Sequence, residues 1–145
     1  MYKTIVLAYD GSQAGQDAIL ECEEITQWSH AHLWIVAVQP DPVASLAIGY
    51  APSPQSDALE SQAYEALLKQ GVQKLEGDGY KASSKLLVGI AVHQISDFAK
   101  SVNADLIVVG HTHYDSWVER WWNNAISGAL VEHAPCSVLC VVKRR

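Results

Sequence analysis

Apolar positions gather in five short runs, and the stretches between them repeat at helical period. Thr4–Tyr9 and His32–Val38 carry apolar side chains consecutively rather than in alternation, the mark of strands buried on both faces. Tyr80–Val88 is a third strand whose first half, Lys81 to Lys85, is polar, as suits the edge of a sheet. Leu106–Val109 is a fourth, central strand, and Ser137–Val142 is the last. From Gln13 to Trp28 the residues Ala14, Ala18, Cys22 and Ile25 recur at steps of three and four, which predicts a helix. Ser56 to Leu75 predicts a second helix with Leu59, Ala63, Ala66, Leu67 and Val72 as its inward stripe. Ala91–Val102 predicts a third with Ile95, Phe98 and Ala99 inward, and a fourth runs from about Asn124 to His133, where Pro135 stops it.

Strands alternating with helices this long imply an α/β fold, a doubly wound parallel sheet with helices on both faces. Ligands of such sheets bind at the carboxyl ends of the strands, where the strand order reverses. Three strand ends carry marked residues: Asp10-Gly11-Ser12, Val38-Gln39-Pro40, and Gly110-His111-Thr112-His113. The connection from Gln39 to Gln55 holds Pro40, Pro42, Pro52 and Pro54, and is long enough to point to function or motion.

Length and composition narrow the class. The 145 residues fit one domain, residues 1–145, able to bury a core without disulfide or metal. With 49% hydrophobic and 18% charged residues the chain is globular rather than disordered. No apolar run approaches the roughly 20 residues of a membrane span. The N-terminus lacks the apolar core of a signal peptide, and the three cysteines, Cys22, Cys136 and Cys140, fit reduced thiols in the cytoplasm. Cys136 and Cys140 read as core or half-buried strand residues about 13 Å apart on one face, not as a redox pair. The net charge of −6 disfavours nucleic acid as a partner.

Three stretches resemble the universal stress protein family. Ile5 to Ser12 resembles its first strand and turn, Asp105 to Gly110 its fourth strand, and His133 to Leu139 the entry to its fifth. Together they frame the chain. The resemblance implies a five-stranded sheet in the order 3-2-1-4-5, a homodimer paired through the C-terminal strand Val138 to Val142, a cytoplasmic location, and a role in stress survival rather than a defined reaction.

ATP-binding members of that family carry Gly-x-x-Gly and, about nine residues on, Gly-Ser or Gly-Thr after the fourth strand, where amides and a helix N-terminus cradle phosphates. This chain keeps Gly110. His113 stands where the second glycine belongs, and Asn124-Ala125 where Gly-Ser would be. Asp10 and Ser127 match nucleotide-contacting positions, and Val38 matches the position whose backbone meets adenine. The resemblance thus implies a nucleotide pocket of Asp10, Val38, Gly110, His113, Asn124, Ala125 and Ser127 with its phosphate cradle damaged. ATP or AMP is expected to bind weakly at most. Asp10 has a second role open to it, as a cap for the first helix.

The remaining candidates are simpler. His111, His113 and Asp115 have the spacing of metal ligands, but one loop does not complete a set of three or four, and no metal is assigned. Trp117, Trp121 and Trp122 form either a packed lid or a protein-interaction surface, since aromatic residues dominate interface hot spots. No nucleophile has the context of a catalytic motif such as Gly-x-Ser-x-Gly. The sequence therefore reads as a non-enzymatic regulatory or stress-response module, with an adenine-nucleotide sensor as the alternative.

Overall fold

In the computed structural model the residues described are 2–9, 13–43, 53–111 and 128–142. The elements are β1 (Thr4–Ala8), α1 (Gln13–Ser29), β2 (His32–Gln39), α2 (Pro54–Gly77), β3 (Ala82–Val88), α3 (Ala91–Ser101), β4 (Leu106–His111) and β5 (Ser137–Val142). Residues 128–133 are helical as well. The five strands form one sheet in the order β3-β2-β1-β4-β5, and all four pairings are parallel. The parallel sheet is what the alternating pattern predicts, with β3 at an edge as its polar first half suits, and the strand order is the one the family resemblance implies.

Strand alternation divides the core in two. Ile5, Leu7, Leu33, Ile35, Leu106 and Val108 point to one face, where α1 and α2 cover them with Ala18, Ile19, Cys22, Leu68 and Leu75. Val6, Val36, Val38, Ile107 and Val109 point to the other, under Ile95 and Ala99 of α3 and Leu130 of the segment 128–133. Helices thus lie on both faces. Because each central strand is buried on both sides, its apolar residues run consecutively.

α2 starts at a clear signal. Ser53 accepts a hydrogen bond from the Ser56 amide through its side chain at 3.1 Å, and Pro54 follows at the first helical position. Its buried face is only partly the predicted one: Leu67 and Val72 of the predicted stripe do pack on the core. Leu59, Ala63 and Ala66 are exposed, whereas Leu68, Gly71 and Leu75 are buried, with Tyr64, Leu67 and Val72 packed beside them. The larger side chains Tyr64, Leu68 and Leu75 outweigh the alanines, and Gly71 lets the helix approach the sheet. A methyl group on Gly71 would stand 3.0 Å from Ile35 Cδ1 and 3.4 Å from Tyr9 Cε1.

At the amino end of the sheet, Asp105 ties β4 to β1. Its Oδ2 accepts the amides of Lys3 (2.7 Å) and Thr4 (2.9 Å), and its own amide donates to the Thr4 carbonyl (2.8 Å). The two amide bonds hold the Asp105 carboxyl below the usual carboxylate range. The cysteines divide by burial. Cys22 is in the core, and burial, with Glu21 and Glu23 nearby, pushes its thiol up to about 12. Cys136 is half-buried and precedes β5, and burial raises its thiol. Cys140 is exposed, contrary to the expectation of a half-buried pair on one strand, because β5 is an edge strand and only Cys140 lies within it.

Candidate functional site

β1 is flanked by β2 on one side and β4 on the other, so the strand order reverses there, and it is at the carboxyl ends beside such a switch point that sheets of this kind form their ligand crevice. Ala8 is level with both Val36 and Val109. The Tyr9 amide donates to the Val36 carbonyl at 2.8 Å, so Val36 faces β1. Backbone direction repeats every second residue along a strand. The N–H and C=O of Val38 therefore face the same side, beyond the last β1–β2 register pair, while its side chain is buried on the α3 face. Gly110 stands one residue past the level of Ala8 on the other flank and pairs with Val141. The fold thus places Val38 and Gly110 on opposite sides of the β1 end, a donor–acceptor pair on one flank and a residue without Cβ on the other.

Gln39 shows why the β2 end is held firmly. It is 2% exposed although polar. Its Nε2 donates to Asp57 Oδ1 at 2.9 Å, and its Oε1 accepts from Ser61 Oγ at 2.7 Å. Its carbonyl accepts the Gly89 amide at 2.9 Å. Gly89 has a φ of 137°, a conformation that favours glycine, and so permits this closure of the β3 end onto β2. In the sequence Gln39 stands only within the marked strand end Val38-Gln39-Pro40 and is not itself a candidate for the pocket. The signal for it is a polar side chain closing an apolar strand one residue after Val38, which becomes a site feature only once α2 lies over it.

The same end of the sheet carries exposed apolar side chains: Val43 after β2, Leu59 on α2, and Val88 and Ile90 between β3 and α3. Asp10, His113, Asn124, Ala125 and Ser127 lie outside the described residues, as do Asp115, Trp117, Trp121 and Trp122; His111 ends β4. Among the described residues no group of three or more His, Cys, Asp or Glu side chains could hold a metal ion. A groove of about 610 Å³ lies away from the crevice, between α2 and β3, lined by Leu68, Lys69, Val72 and Leu86 among others. We place the site at the strand ends that flank β1 rather than in this groove beside the sheet edge. No described helix is long and apolar enough to cross a membrane.

A family model described as the universal stress protein family matches residues 1–142. A universal stress protein of Methanocaldococcus jannaschii is 30% identical over 145 residues, which cover 99% of this chain and 84% of the relative. Among solved structures, a family member from Burkholderia pseudomallei superposes with a TM-score of 0.73 at 25% identity, covering 97% of this chain and 96% of its own. A universal stress protein from Lactobacillus plantarum gives 0.70 at 27% identity, with 97% of each chain covered.

Proposed function

The chain belongs to the universal stress protein family, and on that premise we propose that it is a non-enzymatic, cytoplasmic stress-response module. It acts as a homodimer and takes adenine nucleotides weakly, by the base end. The observation that carries this reading is the Val38 backbone, whose N–H and C=O face the strand-switch crevice beyond the last register pair with β1. A donor and an acceptor side by side match the edge of an adenine ring. Solved universal stress proteins that resemble this chain in fold hold cAMP, dAMP or AMP. The exposed apolar side chains at the same end, together with Trp117, Trp121 and Trp122, would serve a protein partner that reads the occupied state.

The weakness comes from the phosphate side. Glycine lets amides converge on an anion because it has no Cβ, and His113 brings a ring into the place of one. Asn124-Ala125 replaces a glycine and removes a hydroxyl, while Asp115 and Glu119 add negative charge against the single base Arg120. Each defect costs about 1–3 kcal/mol, as for a lost or unsatisfied polar contact. Two such losses move a micromolar ligand to roughly millimolar, at 1.4 kcal/mol per tenfold.

Rebuilding the cradle tests this. The variant His113→Gly, Asn124→Gly, Ala125→Ser is expected to bind MgATP at least tenfold more tightly than the wild type, measured by equilibrium dialysis, with adenosine binding unchanged. Equal MgATP affinity in the two proteins would contradict the proposal.

A further inference from the structure

On the α3 face, two histidines from different elements stand together. His93 lies in the first turn of α3 and His133 ends the helical segment 128–133. Their ring centres are 6.0 Å apart with the planes tilted by 46°, and both residues are exposed. Among the described residues each ring's contact is with the other ring, and neither nitrogen pair is taken up by a hydrogen bond or ion pair. Both carriers are anchored. Ile95 and Ala99 hold α3 to the sheet, and Leu130 holds the segment that carries His133, all three fully buried.

Metal–imidazole bonds measure about 2.0–2.1 Å, and the ring centre lies about 1 Å beyond the nitrogen. Two imidazoles on one ion therefore stand about 5 Å apart, centre to centre, at a tetrahedral angle and about 6 Å apart when opposed. The observed separation falls in this range, so the two rings stand close enough for one ion to take a nitrogen from each. We propose that His93 and His133 form a two-imidazole site for a divalent first-row ion of the nickel, copper and zinc group, which clasps α3 to the segment leading into β5. This inference is independent of the nucleotide reading.

The chemistry sets the selectivity. Neutral imidazole suits zinc, copper and nickel, whereas magnesium and calcium require oxygen donors. No third His, Cys, Asp or Glu side chain among the described residues joins the pair, so water completes the coordination. Asp97, one turn beyond His93, and Glu132, beside His133, add negative charge nearby, and the net charge of −6 favours cation approach.

The test is calorimetric titration of the full chain with zinc chloride at pH 7.5, beside magnesium chloride. His93→Asn and His133→Asn are each expected to weaken zinc binding at least tenfold, and the double variant no further than either single one. Zinc is expected to raise the melting temperature of the wild type and not of these variants. The control variants His30→Asn and Cys140→Ser are each expected to keep the wild-type affinity. The proposal is overturned if the wild type does not bind zinc, or if magnesium binds equally well. It is also overturned if either single variant at His93 or His133 binds zinc as the wild type does, or if the control variants abolish binding.

Discussion

Asp105 sits far from the crevice and shows how one carboxylate fixes a register. Its two amide bonds, from Lys3 and Thr4, join the start of β4 to the start of β1. They also hold its carboxyl below the usual range, so the folded state favours the ionised form. For a lowered folded pKa, the added stability is fully present above the ordinary carboxylate value and is lost as pH falls through the folded one. Asp105→Ala is expected to lower stability at pH 7 by about 1 kcal/mol, the low end for a charged acceptor because the site is partly exposed. Urea unfolding at pH 7 and again below the carboxylate range should show the difference from wild type shrink at the acid end; a constant difference would contradict this. At the same scale, the strand ends at Val38 and Gly110 were legible in the sequence from where the apolar runs stop, while a part for them in a nucleotide pocket is what the family resemblance implies. Gln39 was not legible. A polar residue after an apolar run reads as the start of a loop, and only the arrival of Asp57 and Ser61 on α2 makes it a buried, fully bonded anchor.

Among the elements, α2 carries the sharpest lesson about reading faces. Its predicted stripe counted Ala63 and Ala66 equally with larger side chains, yet burial energy scales with apolar area, so Tyr64, Leu68 and Leu75 set the rotation. The strands were easier, since consecutive apolar residues leave little choice of face, and α3 was read correctly at Ile95, Phe98 and Ala99. The sheet order did not come from periodicity; it came with the family resemblance, because pattern alone does not say which strands are neighbours. The close approach at Gly71 gives a test of α2 packing. Gly71→Leu must displace Ile35 or Tyr9 and is expected to destabilise by about 1–3 kcal/mol, as overpacking does. Thermal unfolding reads this as a fall of roughly 2–4 °C per kcal/mol in a chain of this size. An unchanged melting temperature would mean that α2 does not meet the sheet at Gly71.

For the whole molecule, the open question is what the edges and the crevice do. β5 is an edge strand whose Leu139 and Val141 pack on the α1–α2 face while Cys140 is exposed. An apolar edge of this kind invites pairing with a second copy across a two-fold axis. Light scattering is expected to give a dimer mass at micromolar concentration. Cys140→Arg, which sets like charges close together at the paired edges without touching the core, is expected to weaken the dimer at least tenfold; a monomer mass for the wild type that does not vary with concentration would remove this interface. The crevice bears the central claim, that a base-binding strand end survives without its phosphate cradle. Calorimetric titration of nucleotide-free wild-type protein with MgATP and with AMP tests it most directly. The expected result is weak binding of both, with dissociation constants above about 100 μM, or less than about 5.5 kcal/mol of binding, and no gain from the added phosphates. A dissociation constant for MgATP of about 10 μM or tighter, some 6.8 kcal/mol, would contradict it and make the chain a nucleotide sensor.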